Sequence, residues 1–76
     1  MSAVRKRSIS ISGHRTSFSV EQEFFDELEA IATRRRISLA ALVAEIDAGR
    51  AADANLSSAI RVFVLREARR GSSDGD

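Results

Sequence analysis

The residues Arg15-Thr16-Ser17-Phe18-Ser19-Val20 alternate between polar and apolar side chains. In an extended chain successive side chains point to opposite faces, so the alternation predicts a β-strand with one apolar and one polar face. The apolar face carries Phe18, which we expect to pack on helices. The polar face carries Arg15, Ser17 and Ser19. Because a single strand leaves its backbone groups unpaired, this stretch predicts a two-stranded ribbon.

The partner of this strand is not evident, since no convincing second strand follows residue 20. The simplest completion is the same strand from a second copy, paired antiparallel about a two-fold axis. At 76 residues the chain is small for a single core, and without cysteine it has no disulfide to stabilise it. We therefore expect a homodimer. The outer face of such a ribbon is narrow, polar and basic, which suits the major groove of double-stranded DNA.

A second alternation precedes the strand at Ser8-Ile9-Ser10-Ile11-Ser12, but its apolar residues occupy odd positions instead of even ones. A regular strand through both stretches would place their apolar residues on opposite faces, so we expect a bulge or a tight turn at Gly13-His14. A kinked long strand and a small hairpin both satisfy this pattern. Residues 1–7 are basic and have no core-forming pattern, and we expect a flexible basic arm.

Two helices are expected next. Ser19-Val20-Glu21-Gln22 has the spacing of a capping box, which predicts a first helix from this point to about Arg35. Ser38 is a good N-cap for a second helix over about residues 39–48. Gly49 then provides the stop of the second helix.

A third helix is predicted over about residues 56–70, with Asn55 as its cap and Gly71 at its end. The folded domain is therefore expected over residues 8–70, and residues 71–76 are expected to form a disordered tail. The fold class is mainly α, with a short N-terminal β-ribbon and an additional C-terminal helix.

The centre of the third helix, from Ile60 to Leu65, is apolar nearly all round. Such a helix must be covered on more than one side, which a monomer of this size can hardly do. The helix is therefore a second argument for an intertwined homodimer. We expect the dimer core to contain Phe18, Phe24, Leu28, Leu42, Ile46, Ile60, Phe63 and Val64.

Charged residues are segregated along the chain. Residues 1–15 hold four basic side chains and no acidic one, whereas residues 16–33 hold five acidic side chains and neither lysine nor arginine. Arg34, Arg35 and Arg36 follow directly. Separated charge of this kind predicts one basic and one acidic surface, which fits a polyanionic partner better than the net charge of +1 suggests.

Catalytic chemistry has no support in the sequence. His14 is the only histidine and there is no cysteine, so neither an activated nucleophile nor a set of metal ligands can be assembled. We expect no enzyme activity, no metal and no cofactor. No segment is apolar over the length of a signal peptide or of a membrane span, and we expect a cytoplasmic protein that makes no membrane contact.

Three longer runs carry a resemblance to a known family. They are Gly13-His14-Arg15-Thr16-Ser17, Leu42-Val43-Ala44-Glu45-Ile46-Asp47 and Asn55-Leu56-Ser57-Ser58-Ala59-Ile60-Arg61-Val62-Phe63-Val64-Leu65. Together they look like a short bacterial ribbon-helix-helix family presumed to bind DNA. The order of strand and helices likewise resembles the ribbon-helix-helix DNA-binding proteins, the Arc and MetJ type of transcriptional regulator. The likeness covers roughly residues 6–67.

The resemblance implies that the paired strands enter the major groove and that Arg15, Ser17 and Ser19 contact base edges. It also implies that the N-terminus of the second helix meets a backbone phosphate. Together with the basic arm, the expected phosphate-contacting residues are Arg5, Lys6, Arg7, His14, Arg36, Ser38 and Leu39. The family usually has glycine where this chain has Arg36. A left-handed arginine costs roughly 1 kcal/mol, so either the turn differs or a phosphate offsets the strain.

These features favour a DNA-binding transcriptional regulator, expected to act as a repressor. Two alternatives involve a protein partner instead. One is an antitoxin, although such proteins usually add a disordered C-terminal segment and only about six residues follow the third helix here. The other is a dimeric adaptor that docks through the apolar third helix.

Overall fold

The computed structural model describes residues 3–74, which form a ribbon followed by three helices. The elements are β1 (Val4–Ile11), β2 (His14–Glu21), α1 (Gln22–Arg35), α2 (Leu39–Gly49) and α3 (Leu56–Asp74). The expected architecture, a short ribbon with two helices and an additional C-terminal helix, is confirmed.

A two-residue turn joins β1 to β2. Both turn residues have positive φ, 50° at Ser12 and 82° at Gly13, which is the backbone of a type I′ hairpin turn. The strands pair antiparallel from Ile11 opposite His14 to Val4 opposite Glu21. The turn brings the odd-numbered apolar residues of β1 and the even-numbered ones of β2 onto one face. Of the two alternatives for the parity change, the hairpin is therefore the observed one.

Within the described chain, the strand that pairs with β2 is therefore β1, which the sequence pattern did not identify as its partner. A two-residue turn brings the strands together at a small cost in chain entropy, and local pairing is favoured for that reason. Residues 4–7 belong to β1, so this part of the expected flexible arm is paired. Residues 1 and 2 of that arm lie outside the described residues.

Helix α1 ends where the sequence predicts but begins differently. Its N-cap is Glu21, with no side-chain capping bond, so the expected capping box at Ser19 is wrong. The reason is that β2 continues through Glu21 before the chain turns into the helix. At the other end Arg36 is left-handed, with φ 59° and ψ 40°. The N–H of Arg36 donates to the Thr33 carbonyl, and that of Ile37 to the Ala32 carbonyl, at 3.1 Å each.

The predicted caps of α2 and α3 are confirmed. The N–H of Ala41 donates to Ser38 Oγ at 3.0 Å, and that of Ser58 donates to Asn55 Oδ1 at 2.7 Å. The predicted ends are less accurate.

Gly49 is the last residue of α2, and α3 continues past Gly71 to Asp74. Neither glycine has a positive φ, so neither forms the left-handed helix end that its residue type suggested. Residues 75 and 76 of the expected tail lie outside the described part of the chain.

The hydrophobic core lies between the apolar face of the ribbon and the three helices. Its buried residues are Ile11, Phe18, Val20, Leu28, Ile31, Ala32, Leu42, Val43, Ile46, Leu56, Ile60 and Val64. Six of the eight residues expected in a dimer core are therefore buried within one chain, while Phe24 and Phe63 are half-buried. Only part of the apolar centre of α3 stays uncovered, since Val62 and Leu65 are 44% and 53% exposed. Burial of this core thus needs no second copy.

Candidate nucleic-acid interface

The outward face of the ribbon is a row of polar side chains contributed by both strands. The register places Lys6 opposite Ser19, Ser8 opposite Ser17, and Ser10 opposite Arg15. Residues directly opposite each other in an antiparallel pair point to the same face. The six polar side chains along this face are Lys6, Ser8, Ser10, Arg15, Ser17 and Ser19, and all are exposed except Ser19, which is half-buried. Val4 and Glu21, which are opposite each other, lie at the end of the same face.

The structure thus brings Arg15, Ser17 and Ser19 together on one face, as the alternation of β2 predicts. It adds Ser8 and Ser10, which the sequence reasoning did not include among the site residues. The alternation of residues 8–12 indicates that Ser8 and Ser10 share a face. Only the two-residue turn at Ser12 and Gly13 shows that this face is the one that carries Arg15 and Ser17.

The outward face can make many hydrogen bonds and carries free positive charge. Each serine hydroxyl can donate and accept, and arginine and lysine donate several bonds each. Among the described residues, no carboxylate lies within 4.0 Å of Lys6 or Arg15. A two-stranded ribbon is also an element that the major groove of DNA admits. The face therefore has the shape and the donor groups to contact base edges.

The acidic residue at the end of this face is neutralised. Glu21 accepts a hydrogen bond from Arg61 of α3 at 3.0 Å. Hydrogen bonds from its own backbone N–H and from Arg61 hold the pKa of Glu21 below the ordinary value of 4.5. Its charge at neutral pH is balanced by Arg61, which reduces the repulsion that a polyanion would meet there.

Ser19 is held by α3 through its backbone. Its N–H donates to Ser57 Oγ at 2.8 Å, and its carbonyl accepts from the Arg61 guanidinium at 3.4 Å. These bonds hold Ser19 within β2, and α1 begins only after Glu21, where the strand ends. The hydroxyl of Ser19 has no described protein partner, so it is available on the outward face.

Arg7 occupies the opposite face of the ribbon. Its guanidinium carbon lies 3.6 Å from the centroid of the Phe25 ring, and its Nη2 donates to Gln22 Oε1 at 2.8 Å. Its Nε is inaccessible and has no hydrogen-bond partner among the described residues. The expected role of Arg7 as a phosphate contact does not fit this placement. The cause is the in-chain hairpin, which turns odd-numbered residues of β1 inward.

Arg5 and His14 also lie at inward-facing positions, opposite Val20 and Ile11. Both are nevertheless exposed because they sit toward the ends of the ribbon. They border the outward face and do not belong to it.

The turn before α2 forms a second group of potential anion contacts. The first N–H groups of a helix have no acceptor within the helix, and Ser38 Oγ accepts only that of Ala41. Leu39 is the first residue of α2, and its N–H is among these groups. Arg36 is exposed and makes no ion pair among the described residues. This turn therefore combines free N–H groups, a helix N-terminus and a cation.

The arginines adjacent to Arg36 are engaged within the fold. Arg35 forms ion pairs with Glu45 and Glu67 at 3.3 Å each, and its guanidinium lies 5.4 Å from the Phe63 centroid. Arg34 lies 4.0 Å from Glu27. Of the three consecutive arginines, Arg36 is the one without an intramolecular partner in the described chain.

Neither a metal site nor a membrane-spanning helix is found within residues 3–74. No group of three or more histidine, aspartate or glutamate side chains converges there to hold a metal ion. No helix in this part of the chain is long and apolar enough to cross a membrane.

Comparison with known proteins gives one match. A family model described as "Ribbon-helix-helix domain" matches residues 4–68, from the start of β1 into the second half of α3. Neither the curated proteins nor the solved structures include a significant match to the chain.

Proposed function

The chain belongs to the ribbon-helix-helix domain family, and we propose that it is a sequence-specific DNA-binding transcriptional regulator. In this proposal it binds DNA as a homodimer and represses transcription. The observation that carries this proposal is the outward face of the ribbon. It presents Lys6 and Arg15 near opposite ends of two rows of serine hydroxyls, and neither cation forms an ion pair within the described chain.

Base recognition is assigned to the outward face. Arg15 is suited to donate two parallel hydrogen bonds to a guanine, the commonest specific contact in the major groove. Ser17 and Ser19 donate to or accept from several bases, so they contribute less discrimination than Arg15. Ser8 and Ser10 lie on the same face and are proposed here as additional contacts.

Phosphate contacts are assigned to groups around that face. Lys6 lies on the outward face, and Arg5 and His14 border it. At the turn before α2, Arg36, Ser38 and the N–H of Leu39 form a second contact with the backbone. A phosphate contact would explain why arginine occupies this left-handed position. The binding free energy that its charge contributes would offset the strain of the backbone.

The experiment that tests this proposal is selection of bound sequences from a random duplex pool with the full chain. We expect an enriched inverted repeat, because a two-fold dimer presents each contact twice. With about four to eight phosphates neutralised, affinity for the selected duplex should fall at least about a hundredfold between 50 and 200 mM salt. Absence of enrichment, together with a salt slope near zero, would overturn the proposal.

A protein-binding adaptor or antitoxin is the second candidate function. It is favoured by Val62 and Leu65, which remain exposed on α3 in the single chain. Replacing both with serine separates the two functions. A DNA regulator retains its enriched sequence and its affinity after this change, whereas an adaptor loses its protein partner.

A further inference from the structure

One end of the ribbon is tied to α3 by three hydrogen bonds. Ser57 Oγ accepts from the N–H of Ser19 at 2.8 Å. The Arg61 guanidinium donates to the Ser19 carbonyl at 3.4 Å and to Glu21 Oε1 at 3.0 Å. All three bonds reach residues 19–21, the last part of β2 before α1 begins. They therefore fix the place where the ribbon joins the helices.

The two side chains that make these bonds belong to a helix that is itself well anchored. Ser57 and Arg61 are four residues apart, so they are neighbours on the surface of α3. Leu56, Ile60 and Val64 of the same helix are buried in the core. Because these apolar residues hold α3 against the rest of the molecule, the bonds from Ser57 and Arg61 tie the ribbon to a fixed support.

Hydrogen bonds hold the strand in a way that apolar packing does not. Phe18 and Val20 attach β2 to the core by burying apolar surface, and this attraction has no preferred direction. A hydrogen bond depends on angle as well as on distance. The bonds from Ser57 and Arg61 therefore limit how far the end of β2 can tilt or slide over the core.

Arginine is suited to this position by its shape. Its guanidinium is planar and holds its N–H donors in fixed directions. In Arg61, Nε donates to the carboxylate of Glu21, and Nη2 donates to the backbone of Ser19. One rigid group thus holds a side chain and a backbone carbonyl of the same strand end, two residues apart.

We propose that Arg61 is a positioning residue for DNA recognition, which sets the place of the Ser19 hydroxyl on the outward face by holding the backbone of Ser19 and the carboxylate of Glu21. Ser57 supports the same strand end through the N–H of Ser19. This inference rests on the proposed DNA-binding function. Arg61 contacts no base itself, and Glu21 balances its charge.

The influence of Arg61 should decrease along β2. In a strand, Ser17 lies about 7 Å and Arg15 about 13 Å from Ser19. A shift at the end of β2 therefore displaces the hydroxyl of Ser19 most and the guanidinium of Arg15 least. We expect the preference for the base pair that Ser19 contacts to depend on Arg61, and the preference set by Arg15 to be independent of it.

Hydrogen exchange in the free protein tests the anchoring without DNA. In Arg61→Gln, we expect the amide of Ser19 to exchange at least about tenfold faster than in the wild type. The amide of Ile60 should keep its protection, which shows that α3 remains folded. Arg66→Gln is the matched control, because Arg66 is exposed on the same helix and forms no ion pair within residues 3–74. It should leave the exchange of Ser19 unchanged.

Selection from a random duplex pool tests the consequence for recognition. Ser19→Ala identifies the base pair that Ser19 contacts, because the preference at that position is relaxed. Arg61→Gln should relax the preference at the same base pair about tenfold and retain the preference that Arg15→Ala removes. Arg66→Gln should reproduce the wild-type profile at every position.

Salt titration separates positioning from a direct phosphate contact. The double variant Arg61→Gln and Glu21→Gln removes both members of the ion pair, so the net charge of the chain is unchanged. We expect its affinity for random duplex DNA and its salt slope to equal those of the wild type, while the base preference is relaxed. A salt slope lower by about 0.9 for each lost contact would make Arg61 a phosphate contact and overturn the inference.

The remaining outcomes decide between the inference and the proposed function. An unchanged base preference in Arg61→Gln would overturn the inference and leave the proposed function intact, whether or not the amide of Ser19 exchanges faster. The inference would also be wrong if Ser19→Ala relaxed no position, since Ser19 would then have no base contact to be positioned. A wild-type chain that selects no sequence would overturn the proposed function and, with it, the role of Arg61 in recognition.

Discussion

The two faces of the ribbon are made by the same sixteen strand residues but differ in almost every physical respect. The inward face buries Ile11, Phe18 and Val20, which are at most 5% exposed. The outward face holds serines and two cations in contact with solvent. Each face also carries arginine, and the comparison between Arg7 and Arg15 shows that position decides what an arginine does.

Arg7 is fixed over the Phe25 ring and bonded to Gln22, so its charge stabilises the attachment of the ribbon to α1. Arg15 is exposed and has no ion-pair partner in the described chain, so its donors are free for a ligand. A basic residue near the start of a chain therefore does not by itself indicate a phosphate contact. Which face of the strand it occupies must be known first.

The largest expected effect on stability comes from removing a buried aromatic ring from the inward face. Phe18→Ala removes a ring that is 3% exposed and lies 6.4 Å from the Phe25 ring, centroid to centroid. We expect the free energy of unfolding to fall by about 3 to 5 kcal/mol, measured by urea denaturation. Ser17→Ala on the outward face is the control and should change it by less than about 0.5 kcal/mol. Similar losses for both variants would contradict the assignment of the two faces.

The next largest effect is expected when each of the two arginines is replaced by alanine. Arg15→Ala should cost about 1 to 3 kcal/mol of binding at the selected DNA site and relax the preference for one base pair, with stability unchanged. Arg7→Ala should leave the ratio of specific to random binding unchanged and lower stability by about 1 to 2 kcal/mol. Competition binding and denaturation of both variants check this. A specificity ratio that Arg15→Ala leaves intact would disprove base recognition by Arg15.

A smaller effect is expected at Arg36, an exposed arginine outside the ribbon. Arg36→Gly relieves a left-handed backbone and should raise the free energy of unfolding by about 1 kcal/mol. If Arg36 meets a phosphate, the same variant binds all DNA sequences more weakly, and the salt slope falls by about 0.9 for each phosphate that is no longer neutralised. Arg50→Gln serves as control, because Arg50 is paired with Asp47 at 2.6 Å. Stabilisation with unchanged DNA affinity would leave Arg36 without a role in binding.

The smallest effect concerns pH at the end of the outward face. The pKa of Glu21 is lowered by hydrogen bonds from its own backbone N–H and from Arg61. A carboxylate with a lowered pKa in the folded state stabilises the fold above its unfolded pKa, and this contribution is lost as pH falls through the folded value. Below pH 4.5 the wild type should therefore lose stability more steeply than Glu21→Gln. Parallel curves from acid denaturation would contradict this assignment.

Much of the local structure is predictable from neighbouring residues. Ser38 and Asn55 cap their helices as expected, because an N-cap bond joins residues three apart in the sequence. The polar face of β2 follows from alternation alone. The prediction failed at Ser19, which stays in β2 and whose N–H donates to Ser57, 38 residues away. No pattern within a few residues of Ser19 contains that information.

The sequence by itself determined the local features: which residues of each strand share a face, where α2 and α3 start, and that a bulge or a turn must occur near Gly13. These depend on backbone geometry repeated every two or three to four residues, so a short window suffices. The tertiary structure alone decided that β2 pairs with β1 of the same chain, that Arg7 lies on the inward face over Phe25, and that α3 bonds to the backbone of Ser19. Those outcomes depend on contacts between residues far apart in the chain, where several pairings satisfy the same local pattern and the packing of the whole core selects one.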